Sequence, residues 1–141
     1  MSDPTVTVSW GELFDRISIL EIKHARLTSP QAQDIVIAQL TALRSAENTL
    51  APKPPKLAEL RKRLKSVNER LWTTEDDLRS HEARKDFDVH FVELARSVYL
   101  NNDERTRLKR AIDRLLGSDG EPKAYVQYTE DKDENDPEGS P

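Results

Sequence analysis

Three adjacent carboxylates, Glu75, Asp76 and Asp77, stand late in a stretch whose pattern predicts one long helix. Glu75, Arg79 and Glu82 share one side of it, next to a stripe that runs through Leu71 and Leu78. Clustered carboxylates between helices can hold Mg²⁺ in front of a substrate phosphate, because a hard dication takes oxygen ligands and keeps positions open for phosphate oxygens. The plainer reading is a solvated ion-pair ladder, Glu75 with Arg79 one turn apart. It is the favoured one.

Other residues raise comparable questions. Glu21-Ile-Lys-His24 puts a carboxylate and an imidazole three apart on one helix face. A di-iron bundle needs that pair twice and two further glutamates. No second pair of this kind is present, so a partly buried His24 satisfied by Glu21 or by backbone is expected. Glu12 and Asp15 also stand three apart, but the paired-glutamate helix of all-helical nucleotide pyrophosphohydrolases is missing. Cations concentrate at Lys53, Lys56, Arg61, Lys62, Arg63 and Lys65, and again at Arg105, Arg107, Lys109 and Arg110. The first group opens a helix, where the macrodipole disfavours positive charge. The second follows Asn101-Asn102-Asp103, so that helix, turn and basic helix outline a helix-turn-helix. No serine has a nucleophile-elbow context and no glycine-rich phosphate loop exists. Catalytic residues are therefore unassigned.

The elements that must position these groups are helices. Ser9-Trp-Gly-Glu12 has capping-box spacing, and Trp10, Leu13, Phe14, Ile17, Leu20 and Leu27 follow at helical intervals. Ser29-Pro30 supplies a cap and an N1 proline for a second helix, striped by Val36, Leu40, Leu43 and Leu50. Ala51-Pro-Lys-Pro-Pro55 ends it. A third helix is predicted from Pro55 to Arg84, striped by Leu57, Leu60, Leu64, Val67, Leu71 and Leu78 close to a heptad. The proline connector predicts that helices two and three form a long antiparallel hairpin. A fourth helix is expected over about 87–100, with Phe91, Ala95 and Val98 inward. Asn101–Asp103 should break it, since Asn and Asp favour caps. A fifth would carry Leu108, Ala111, Ile112 and Leu115 and stop at Gly117. Residues 5–8 and 124–128 read as a small two-stranded β patch.

Composition agrees with a mainly all-α chain of about five helices. Of 141 residues, 35% are hydrophobic and 34% charged, the balance of narrow apolar stripes on wide charged faces. With 6% aromatics and only 4 glycines, a sandwich or barrel is disfavoured. There is no cysteine, hence neither disulfide nor thiolate site. No signal peptide and no membrane span is expected, which makes the cytoplasm the default. Eight acids and two lysines after Ser118 carry −6 of the net −4, leaving +2 on the first 118 residues. That is far from the basic footprint of a nucleic-acid binder. Residues 1–128 are expected to form one helical domain. Residues 129–141, without an aliphatic or aromatic side chain, form an expected disordered acidic tail.

Several strings occur together. They are Gly11-Glu-Leu-Phe-Asp-Arg-Ile-Ser-Ile-Leu-Glu-Ile-Lys23, Asn68-Glu-Arg-Leu-Trp-Thr-Thr-Glu-Asp-Asp-Leu-Arg79, Glu93-Leu-Ala-Arg-Ser-Val-Tyr99, Asn102-Asp-Glu-Arg105 with Lys109, Gly117-Ser, and Lys123-Ala-Tyr125. As a set they resemble an uncharacterised family of small helical bacterial and phage proteins, a domain of unknown function. The resemblance covers about residues 6–128 and brings no activity. It does imply a polar patch: Glu75, Asp76, Arg79, Glu82, Arg96, Tyr99, Asn102, Asp103, Arg105 and Lys109. One reading is an ion-pair and capping network that fixes helix packing. The other is a pocket for an anionic small molecule, with arginines as ligands and Mg²⁺ on Glu75 and Asp76.

The leading expectation is a non-catalytic helical module that binds a protein partner or forms a homo-oligomer, without membrane contact and with nucleic acid disfavoured. The runner-up is a metal-dependent enzyme acting on a phosphorylated or nucleotide substrate at the patch, the only reading that involves Mg²⁺. DNA binding through the helix-turn-helix-like pair comes third.

Overall fold

A computed structural model describes residues 1–118, and within them four helices and no strand: α1 Trp10–Arg26, α2 Pro30–Glu47, α3 Pro55–Arg84 and α4 Val89–Leu116. Residues 124–128 and the acidic stretch 129–141 lie outside the described residues. Residues 5–8 are irregular, so the β patch is not formed on the side that is described.

Local chemistry sets the helix starts. Ser9 Oγ accepts from the Glu12 amide at 3.2 Å. Only half of the expected capping box forms, because the Glu12 side chain is drawn to Lys109 and Arg16. Ser29 caps α2 ahead of Pro30, and Pro55 opens α3. Asp88 caps α4 by accepting from the Phe91 amide at 2.9 Å. Two left-handed residues close the long helices, Lys85 at φ 54° and Gly117 at φ 73°.

The helix expected to break at Asn101 runs straight through, giving one 28-residue α4 in place of two shorter helices. Asn is only a mild helix breaker, and its side chain does harm by competing for nearby backbone. Here that competition is diverted. Asn101 Nδ2 donates to the Ser97 carbonyl at 2.9 Å, and its Oδ1 accepts from Arg70 of α3 at 3.2 Å. Asp103 is buried at 3% exposure. Contacts to α3 and α1 outweigh the local signal. With no turn there, the helix-turn-helix outline is lost as well.

The long hairpin also differs in membership. α3 pairs with α4, whereas α2 folds back on α1 and meets α3 through the Glu47–Arg61 ion pair, not along a hairpin. α1 is the hub, touching all three other helices. Leu13, Phe14, Ile17 and Leu20 meet Val36 and Leu40 of α2, Leu57, Leu60, Leu64 and Val67 of α3, and Leu108, Ala111 and Ile112 of α4 in one core. Burying each large aliphatic or aromatic side chain contributes about 1.5–3 kcal/mol. Gly11 lets α1 lie against α4. A Cβ there would collide with the Lys109 carbonyl and come within 2.8 Å of Asp113 Oδ1.

Lengths then dictate the shape. At 1.5 Å per residue, the 30 residues of α3 span about 45 Å, and the 17 residues of α1 only about 26 Å. α1 reaches Trp72 and Thr73, where Arg26 lies over the indole at 5.9 Å and contacts the threonine hydroxyl. Beyond that point α3 and α4 continue alone as a two-helix arm, roughly 73–100.

Candidate functional site

The polar patch is anchored by Asp15, only 1% exposed on the face of α1 that meets α3 and α4. Its carboxylate accepts from Arg105 Nε at 2.9 Å and Nη2 at 2.5 Å, a bidentate pair. Asn68 Nδ2 donates to Asp15 Oδ1 at 2.9 Å and to Ser18 Oγ at 2.7 Å, and the Ser18 hydroxyl donates to the Asp15 carbonyl. Lys109 Nζ lies 2.5 Å from Glu12 and 3.8 Å from Asp15. Burial pushes the Glu12 carboxyl up, but hydrogen bonds from Lys109 and Arg16, with their charges, outweigh it and hold it below the ordinary carboxylate value. Hydrogen bonding to Asp15 raises the Arg105 guanidinium against the opposing effect of desolvation.

Two adjoining cavities open beside this network and share Asn102 and Arg105. The first, about 430 Å³, has Ile19, Ile22, Leu71 and Trp72 as its apolar lining and Lys23, Asn68, Glu75, Asp76 and Arg79 at its polar edge. The second, about 400 Å³, is lined by Ala95, Val98, Tyr99, Asp103, Thr106 and Lys109. Eight of the ten patch residues implied by the resemblance therefore fall on one continuous surface. Glu82 and Arg96 do not. Glu82 pairs with exposed Lys85 at 3.7 Å, and Arg96 donates to the Tyr99 hydroxyl at 3.2 Å.

What this surface can do is limited by its pairings. Arg105 and Lys109, the cations best placed for an anion, are held by Asp15 and Glu12. Those two acids are in turn saturated by cations. Asp76 faces Arg79 at 3.8 Å, so the ion pair runs from Asp76, not from Glu75. Among the described residues no third carboxylate or imidazole converges with Glu75 and Asp76 into a metal-holding group. Of the basic cluster on α4, Arg107 is likewise spoken for, by Glu104 at 2.5 Å. His24 is exposed, not partly buried, and Glu21 bridges Arg44 of α2 and Lys65 of α3 at 3.0 and 3.7 Å.

Asn68, Ser18 and Asp113 are the participants that residue-type reasoning missed. A signal exists for Ser18: Gly11, Asp15, Ser18 and Ile22 recur at spacings of four, three and four along α1, a second buried face that is small or polar up to Ile22. Asp113 receives the Gly11 amide at 2.7 Å, an anion at a helix N-terminus.

The chain matches no family model, no curated protein and no solved structure. No helix among the described residues is long and apolar enough to cross a membrane.

Proposed function

We propose that this chain is a non-catalytic helical interaction module that self-associates through the outer face of its arm. The resemblance to a family of small helical proteins without assigned activity is consistent with that reading. The observation that carries it is the double-sided character of α4 between Val89 and Leu100. Phe91, Leu94, Ala95 and Val98 are partly buried on the side toward α3. On the opposite side Val89, Val92 and Leu100 stand 74%, 50% and 44% exposed, with Phe87 at 53% nearby. A helix with apolar residues on both sides is usual where both sides are covered.

A second copy of the chain fits this face. Val89, Glu93, Arg96 and Leu100 follow at intervals of four, three and four, the spacing of a coiled-coil seam. Two such seams laid antiparallel set Val89 of one copy against Leu100 of the other, and Glu93 against Arg96. The surface is thus self-complementary in shape and charge, as a two-fold interface must be. The seam is short, so a weak dimer with a dissociation constant of about 1–100 μM is expected.

Sedimentation velocity tests it. Wild type should shift from one to two chains in mass with rising concentration. Glu93→Arg and Arg96→Glu should each remain monomeric, and mixing the two variants should restore the dimer. Monomeric wild type at millimolar concentration, or single variants that dimerise like wild type, would sink the proposal.

One observation favours a second reading, a phosphorylated or nucleotide ligand. Lys23 and Arg79 share the 430 Å³ cavity with Trp72, offering cations beside a stacking surface, although Arg105 in the same cavity is held by Asp15. On the enzyme alternative Glu75 and Asp76 would supply two Mg²⁺ ligands, and phosphate and water the rest. Melting curves with nucleotides and Mg²⁺ decide it: joint stabilisation that Glu75→Gln abolishes supports the ligand site, and flat curves reject it.

A further inference from the structure

The arm ends in a group of side chains that neither reading uses. His81, on the last turn of α3, is 6% exposed, and its ring meets the His90 ring with centroids 5.3 Å apart. Two of the three histidines of the chain therefore stand together here. His81 Nδ1 faces Asp86 Oδ2 at 3.9 Å and Asp88 Oδ1 at 3.8 Å. The three ligand atoms lie within 4.8 Å of one another.

We propose that the tip of the α3–α4 arm is a transition-metal site, with His81, Asp86 and Asp88 as ligands and Zn²⁺ as the ion it fits. Donor type comes first. One imidazole nitrogen with two carboxylates suits Zn²⁺, whereas Mg²⁺ and Ca²⁺ take all-oxygen sets. Geometry comes second. Zn–N and Zn–O bonds of about 2.0–2.1 Å in a tetrahedron place neighbouring donors roughly 3.3 Å apart. The two separations from His81, 3.8 and 3.9 Å, need a contraction of about half an ångström, and the two carboxylates, within 4.8 Å of each other, need up to about 1.5 Å. Rigidity comes third. His81 is held by burial against Phe91, at 6.0 Å between ring centroids, and Asp88 by its capping bond to the Phe91 amide. Asp86 has to swing, and the His81 ring has to give up its bond to the Asp86 carbonyl.

Nδ1 now sits 3.0 Å from the Asp86 carbonyl. Binding moves the imidazole proton to Nε2 and turns the Nδ1 lone pair to the metal. The fourth position falls to solvent or to His90. The ion would staple the end of α3 to the start of α4 across the left-handed Lys85.

Isothermal titration of the chelator-treated full chain with ZnCl₂ is the test, with melting followed in parallel. One ion per chain, with Kd of about 10 μM or tighter, is expected, and Tm should rise by roughly 5–10 °C at a hundredfold excess over Kd. MgCl₂ should do neither. His81→Gln should weaken binding at least about tenfold. Because His81 is buried, Asp86→Asn with Asp88→Asn provides the folded control: asparagine still caps α4 but offers no carboxylate. Affinity unchanged in that double variant places the metal elsewhere on the chain and overturns the proposal. So does the absence of saturable binding at 100 μM Zn²⁺, a ceiling of about ten times the expected Kd.

Discussion

Asp15 shows how much one buried charge can organise. It is almost fully enclosed and satisfied by Arg105 and Asn68, so removing a partner costs more than the pair itself contributes. Arg105→Met should lower stability by about 2–3 kcal/mol in urea unfolding, discounted from the fully buried range because the arginine is 30% exposed. The double variant Asp15→Leu/Arg105→Met should lose less than the sum of the two single changes. Glu12 gives a pH signature. Its folded value lies below its ordinary 4.5, so its contribution is fully present above about 4.5 and is lost as pH falls through the lowered value. Glu12→Gln should therefore flatten the acid side of the stability curve in that window and leave the neutral region with a pH-independent offset. Gly11→Ala, which forces a methyl into the Lys109 carbonyl, should cost about 1–3 kcal/mol or more. Of this network Arg105 and Lys109 were legible in the sequence as patch residues, whereas Asn68, Ser18 and Asp113 were not. Nor were its pairings, because Asp15 and Arg105 are separated by ninety positions and nothing local links them.

At the scale of elements, helix starts were the most readable features. Ser9, Ser29-Pro30 and Pro54-Pro55 act through groups within three residues of themselves, so position alone reveals them. The course of α4 through Asn101 was not readable, since the groups that rescue it lie on α3. The partner of α3 was hidden for a related reason: a heptad stripe says that a helix packs, not against which neighbour. Lys85 is a further local feature with a measurable consequence. A non-glycine residue at φ 54° carries strain that glycine relieves. Its exposed pair with Glu82 is worth little. Lys85→Gly should raise stability by about 0.5–1 kcal/mol, seen as a higher denaturation midpoint with an unchanged m-value.

Across the whole molecule, stability is divided unevenly. The core joins α1 to the first half of α3 and the second half of α4, while the arm rests on a single helix–helix contact. Amide exchange should follow that division: residues 57–68 and 108–113 slow, at the global unfolding limit, and residues 73–100 faster through local opening. Equal protection along α3 would contradict the description of a free-standing arm. If Zn²⁺ binds at the tip, protection should rise there first.

The bond from the Gly11 amide to Asp113, with the Trp10 amide on Ser118 beside it, also bears on synthesis. α1, made before the other three helices described, has its closing partner at the far end of the described chain. At ~5–20 residues per second, about 5–20 s pass before that partner emerges. During that interval α1 can fold against α2 and then α3, whose Asn68 meets Asp15 and Ser18, while Gly11 and the Asp15 oxygens that Arg105 takes stay uncovered. The nascent chain must keep one buried surface waiting until almost the whole body has been made.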